Sequence, residues 1–383
     1  MLLSRHRAIV GMIGAAFVLG GCSQGQGSPS AVSSPSQAAT SDVPSPSEAA
    51  GADCESVEFN FATDQAPAAL QAGQSVQRWA DGVEAATSGR VSVAVHFSES
   101  LTTQAEILDS MAAGVAEVAA VSMNRFPAEF PLWTELGTTH DLDLTLAVGP
   151  REQVEVTRQL MEEFPELTGE LENRGLRLLT LLTSGPHVLM TREPATTLED
   201  LSGKKIRTYG TGIPLLFEAA GAVPVSVPAS EIYTSTQAAA LDGAFTIADF
   251  LESLSYDELA PNITIIGENG STPMVNIGFA FLIGDDAWAE LCPDDQQAVT
   301  DVSLEVENWL ADATIARHEE AIEEMVARGA EVHEFDDASL EEWRAQMPDF
   351  LAISAENLNG KALPGDDFVA EVERIATEAG AAD

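Results

Sequence analysis

The chain has 383 residues, 45% of them hydrophobic, and carries 18 Lys+Arg against 61 Asp+Glu, a net charge of -43. Such an excess of negative charge argues against nucleic acid as a ligand and against adsorption to an anionic membrane surface. The length suffices for one two-lobed protein or two ordinary domains, and no internal apolar run reaches the roughly 20 residues that a membrane span needs.

At the amino terminus Arg5 and Arg7 precede an apolar run, 8–19, that is too short to cross a bilayer, and Leu19-Gly20-Gly21-Cys22 has the form of a lipobox. Residues 1–22 are therefore expected to be a lipoprotein signal peptide ending at Cys22, which becomes the lipid-bearing first residue. An ordinary signal peptide with an incidental cysteine is the competing reading. Residues 23–54 are rich in Ser, Pro, Ala, Gly and Gln and lack an apolar period, which predicts a disordered tether between membrane and folded part. The resulting extracytoplasmic, membrane-anchored location permits disulfides, so Cys54 and Cys292 form a possible bridge, with two separate thiols as the alternative.

The folded part begins with a strand at 57–62 that runs into the loop residues Thr63, Asp64 and Gln65. A helix at 73–86 follows, with Val76, Trp79, Ala80 and Val83 at helical spacing and Trp79 read as core. Next come a strand at 91–97, a helix at 103–113 stopped by Gly114, and a buried strand at 115–122 with Ser122, Met123 and Asn124 at its end. Residues 126–132, with Pro127 and Pro131, read as loop, and His140-Asp141 as solvated loop residues. Helices at 151–164 and 167–174 lead to a strand at 176–183 and the turn Ser184-Gly185-Pro186-His187.

The pattern then becomes strand 205–208, helix 213–220 ending at Gly221, strand 223–227, and a helix from about Ser230, whose hydroxyl is placed to cap it, ending at Asp242-Gly243. Such a βαβ order is the unit of an open α/β sheet, whose ligands bind at the carboxyl ends of strands, where Arg207 lies. A returning strand at 273–283 precedes a long amphipathic helix at 294–328, in which Val299, Val302, Val306, Leu310, Ile322 and Met325 recur at helical spacing. A last strand at 331–335, a helix at 340–358 and a terminal helix at 366–376 on the surface complete the reading.

Four blocks in register carry a likeness. They are Leu201-Ser202-Gly203-Lys204-Lys205-Ile206-Arg207, the Gly-Ala-Val-Pro-Val run 221–225, Ser230-Glu231-Ile232-Tyr233 with Gln237, and Leu241-Asp242-Gly243. At these residues, and more loosely over 57–376, the chain resembles the DctP-like solute-binding proteins of TRAP (tripartite ATP-independent periplasmic) transporters. The resemblance implies an α/β, two-lobed periplasmic-binding-protein-like fold with a ligand cleft between the lobes and a long helix spanning both. Lobe I would comprise 55–184 plus about 273–312, and lobe II 185–272 plus about 313–383, with the first crossover at Ser184-Gly185-Pro186-His187.

The resemblance also implies a ligand set. Arg207 occupies the position that holds a ligand carboxylate, where a guanidinium fork makes two charge-assisted hydrogen bonds that lysine cannot reproduce. His187 stands where many members have a second arginine, either bonding ligand or serving the structure. Thr246 replaces a ligand-facing asparagine, and Ala229 a ligand-stacking phenylalanine. Ser122, Met123 and Thr63 would contribute from lobe I and Tyr209 from beside Arg207, while Glu231 would orient Arg207 or cap a helix.

No metal or cofactor is implied. The implied role is an extracytoplasmic lipoprotein that captures a small organic acid, with a monocarboxylate favoured, and hands it to the two membrane subunits of an ion-gradient-driven transporter. An acidic surface repels such a ligand, but screening confines that effect to about 8 Å at physiological salt, so Arg207 decides locally. A sensor docking on a signalling receptor is the alternative. An ABC-type receptor or an enzyme ranks lower, because Gly-x-Ser-x-Gly, His-Glu-x-x-His, Cys-x-x-Cys and phosphate-binding glycine loops are missing.

Overall fold

A computed structural model of the protein describes residues 54–142, 149–210, 212–267 and 279–380. The expected signal peptide with Cys22, the tether up to residue 53, and the expected strand residues 273–278 lie outside the described residues. Eleven strands are described: β1 Val57–Ala62, β2 Val91–His96, β3 Val118–Ser122, β4 Leu176–Leu182, β5 His187–Thr191 and β6 Lys205–Thr208. They continue as β7 Val223–Ser226, β8 Gly243–Ile247, β9 Asn262–Ile265, β10 Phe279–Gly284 and β11 Glu331–Glu334.

These strands make two sheets, and each sheet is the centre of a lobe. The first has the order β2-β1-β3-β10-β4, with β1 parallel to β2 and β3, and β10 antiparallel to both its neighbours. Its strands are short apolar runs because both faces are covered. On one side Phe61, Val118 and Phe281 meet Trp79 and Val302; on the other Val121 and Leu181 meet Trp133, Leu160 and Phe368. The Trp79 indole donates to Ser303 Oγ at 2.8 Å, which settles the polar end of that core residue.

The second sheet has the order β11-β9-β5-β8-β6-β7 and mixes parallel and antiparallel pairs. Leu189, Ile206 and Phe245 pack on Phe217 and Trp343, while Val188, Met190 and Ala244 pack on the face that also holds Tyr256, Ala321 and Met325.

The helix Pro293–Arg328 joins the lobes. Proline at its first turn and Gly329 at φ +111 after its last turn are the expected start and stop. Its first half gives Val299, Val306 and Leu310 to the first core, and its second half gives Ala321 and Met325 to the second. Ion pairs fasten both halves. Glu307 accepts from Arg158 Nε at 3.0 Å and Leu181 N at 2.6 Å, and Arg328 Nε donates to Asp257 at 2.8 Å. Where the crossover passes the helix, a Cβ on Gly185 would lie 3.2 Å from the Thr314 carbonyl oxygen, a spacing that favours glycine. The Cys54 and Cys292 sulfurs are bonded, with Cα atoms 5.6 Å apart, tying the start of β1 to the cap of the long helix.

Several expectations change. Residues 131–142 are helical, Pro131–Leu142, so that His140 and Asp141 fall in a helix rather than a loop. Proline suits the first turn, and the Glu170 carboxylate accepts from Leu132 N at 2.9 Å, acting as a cap from a distant segment. The expected helix 340–358 is two helices, Asp337–Gln346 and Phe350–Asn359, because Pro348 interrupts it and Asp349 caps the second by accepting from Ala352 N at 2.8 Å. The Ser230 cap is not formed: a 3-10 turn, Ala229–Glu231, leads into the helix Ile232–Gln237 without a side-chain cap.

The last thirty residues also change lobes. Phe350 packs in the second lobe, but Leu358, Phe368, Val372 and Ile375 lie in the first core. Residues 313–383 therefore do not all belong to lobe II, and the helix Gly365–Gly380 is a core element rather than a surface one. Among the described residues no helix is long and apolar enough to cross a membrane.

Candidate functional site

The site grows from β6. Ile206 pairs with Gly243 and Arg207 with Ala244 of β8, while Val188 of β5 pairs with Thr246. Side chains alternate along a strand, so Arg207 and Thr246 share the face turned to the long helix, and His187 and Phe245 share the opposite face. Tyr209, one residue beyond β6, touches both sets. Its ring lies under the Arg207 guanidinium, 4.9 Å from centroid to carbon, and its hydroxyl is hydrogen-bonded to His187 Nε2. The His187 ring stacks on Tyr209 at 5.9 Å and on Phe245 at 5.3 Å.

Arg207 is 7% exposed, and its Nε is buried without a hydrogen-bond partner. Burial lowers its pKa, opposed by the Tyr209 and Tyr256 hydroxyls, and burial likewise pushes the Tyr256 phenol up to about 12. No carboxylate of the described residues lies within ion-pair distance of it, which sets it apart from Arg90, Arg158, Arg317 and Arg328, each tied to an acid. A desolvated guanidinium without a counter-charge is costly, and a carboxylate is its chemical complement.

The other expected residues divide. His187 is 2% exposed and hydrogen-bonded to Tyr209. Thr246 is buried on the Arg207 face. On the first lobe Thr63 is buried and accepts from Gln65 N at 3.2 Å, and Ser122 Oγ donates to Asn124 Oδ1 at 2.7 Å. Met123 is fully buried in the core cluster that holds Val121, Trp133 and Leu136, because the turn after β3 folds it back, so it serves packing. Glu231 is exposed, caps nothing with its side chain, and is not among the groups that act on Arg207.

Phe245, adjacent to Thr246, was not anticipated as a neighbour of the site, whereas Asp64 lies in the loop 63–65 that the sequence places after β1. Asp64 Oδ1 is buried without a partner, and Oδ2 lies 3.8 Å from Arg125, itself on the turn after β3. A general rule pointed to both: Asp64 follows the carboxyl end of β1, and Phe245 precedes that of β8. A cavity of about 1020 Å³ lies between the lobes against the long helix, lined in part by Gln65, Ser184, Ile247, Asp249, Trp309 and Arg317. None of the eight expected contacts lines it. Among the described residues Cys54, Cys292 and Asp295 are grouped as metal ligands would be, but with the sulfurs joined to each other no thiolate is left to bind.

The profile of the family described as bacterial extracellular solute-binding protein, family 7 (DctP), matches residues 62–357. The ectoine-binding periplasmic protein TeaA of Halomonas elongata is 28% identical over 231 residues, 58% of this chain and 64% of that protein. The chain thus spans just under two thirds of this curated relative. Among solved structures, a TRAP periplasmic solute-binding protein of Desulfovibrio salexigens superposes with a TM-score of 0.74 at 21% identity, covering 84% of this chain and 96% of that one. DctP7 of Bordetella pertussis, an extracytoplasmic solute receptor binding pyroglutamic acid, superposes with a TM-score of 0.64 at 18% identity, covering 84% and 100%. At these identities the superpositions speak for the fold.

Proposed function

The chain belongs to the family-7 bacterial extracellular solute-binding proteins, the DctP-like receptors of TRAP transport, and from that premise we propose that it captures a small carboxylate ligand between its lobes. The observation that carries this reading is Arg207, buried on a strand of the second lobe with an unpartnered Nε and no acid beside it. Tyr209 supports the guanidinium from below, and His187 fixes the tyrosine hydroxyl. Ser122 and Thr63 supply hydroxyls from the first lobe and Thr246 from the second. A ligand that touches both lobes binds the closed arrangement more tightly than the open one, and that difference drives closure.

In this reading the closed receptor delivers its ligand to the small and large permease subunits of a TRAP transporter, and acts as a receptor rather than an enzyme. Lipidated Cys22 would hold it to the membrane at the end of the tether 23–53. The direct experiment is titration calorimetry of carboxylates against the native chain and Arg207→Lys. Loss of one partner of a buried charged pair costs about 2 to 5 kcal/mol, so affinity is expected to fall at least 30-fold with the fold intact. Equal affinity in the two proteins would remove Arg207 from the site and the reading with it.

A further inference from the structure

The first lobe carries a charge that is only loosely paired. Asp64 follows the carboxyl end of β1, and its side chain is only 14% exposed. Oδ1 is buried with no donor, while the nearest cation, Arg125, is 59% exposed and stands at 3.8 Å from the other oxygen, too far for a hydrogen bond. A carboxylate oxygen buried without a donor is destabilising unless a functional partner compensates it. Gln65, the next residue, lines the space between the lobes, so this loop borders the region that closes.

Arg207 on the second lobe is in the mirrored condition, a buried cation with an unpartnered Nε. Each lobe thus holds a buried charge that is under-satisfied within it, and the two are of opposite sign. We propose that the ligand is a small zwitterion, with its carboxylate held by Arg207 and its ammonium or amidinium group by Asp64. This rests on the receptor reading above and narrows it.

A ligand with charge at only one end satisfies one lobe and leaves the other as it was. A zwitterion satisfies both at once, so its full binding energy becomes available only in the closed state, and that differential affinity is what shifts the population.

Proline and pyroglutamate make a ring-matched test, one zwitterionic and the other anionic, with ectoine as a cyclic amidine zwitterion. Calorimetric titration would compare the full mature chain with Asp64→Asn, Asp64→Glu and Arg207→Lys, each checked for native circular dichroism. The native chain is expected to prefer at least one zwitterion over pyroglutamate by tenfold or more. Asp64→Asn should abolish that preference while changing pyroglutamate binding less than threefold, Asp64→Glu should retain part of it, and Arg207→Lys should weaken every ligand that binds. If pyroglutamate binds as tightly as both zwitterions, if Asp64→Asn leaves the preference intact, or if no zwitterion binds, the proposal is overturned. Those results leave the receptor reading standing, which fails instead when Arg207→Lys leaves the affinity of a bound carboxylate unchanged.

Discussion

Breaking the Cys54–Cys292 bridge should cost stability without altering ligand affinity. The bridge closes a loop of 238 residues, for which the chain-entropy treatment gives an upper value of about 5.5 kcal/mol at 25 °C. Residual structure in the unfolded chain lowers that figure, and the expected loss is about 3 to 5 kcal/mol. With an unfolding entropy of about 0.7 kcal/mol/K for a folded part of this size, the melting temperature should drop by roughly 4 to 7 °C. The half-cystines sit beside β1 and at the cap of the long helix, outside the cleft residues, so affinity should not move. Urea unfolding of the native chain and of the Cys54→Ser/Cys292→Ser double variant would measure the loss, with calorimetry for ligand. The urea slope should also rise in the variant, because an uncrosslinked unfolded chain exposes more surface. A melting shift under 1 °C, or an affinity change of tenfold, would refute the reasoning.

Burial raises the Glu170 pKa to about 7, above its ordinary 4.5, with the Leu132 and Trp133 amides opposing. Because the folded-state value is raised, the contribution is fully present below about pH 4.5 and is lost as pH rises through 7. Urea midpoints across pH 4.5 to 8 should show this decline, and Glu170→Gln should remove it. Met123→Ala should cost about 2 to 5 kcal/mol in unfolding free energy while leaving ligand affinity within threefold, which separates packing from recognition. Cys22→Ser should leave the chain as uncleaved precursor or release it into the soluble extracytoplasmic fraction; processed protein that resists high-salt washing from membranes would place the anchor elsewhere.

The segments that signal themselves locally were the legible ones. Strand β1 and strand β6 fall where alternation and the Ser202-Gly203 turn place them, and the long helix starts one residue early, at Pro293. The strand end that carries Arg207 was identifiable because it is a local property. Met123 was not, since its direction depends on how the turn after β3 meets Trp133 and Leu136. Nor was the His187 to Tyr209 bond, which joins the start of β5 to a residue just beyond β6, 22 positions away. The helix Pro131–Leu142 was hidden behind two prolines because its cap, Glu170, comes from 38 residues downstream. Strand β9, no shorter than β6, went unnoticed because no glycine turn precedes it as Ser202-Gly203 precedes β6.

The place of β10 in the first sheet bears on the order in which the chain acquires its structure. It lies between β3 and β4, and among the described strands β4 has no other neighbour in that sheet. During synthesis β4 therefore emerges, and the whole of β5 to β9 after it, while the strand that must join it is still unmade. The first lobe to begin is then unable to finish before the second has appeared, and the cover of its opposite face, begun by Trp133 and Leu160, is completed only when the helix Gly365–Gly380 arrives. A nascent chain stopped at residue 278 should accordingly remain protease-sensitive at β4, and the completed protein should fold slowly, as pairings between such distant segments require.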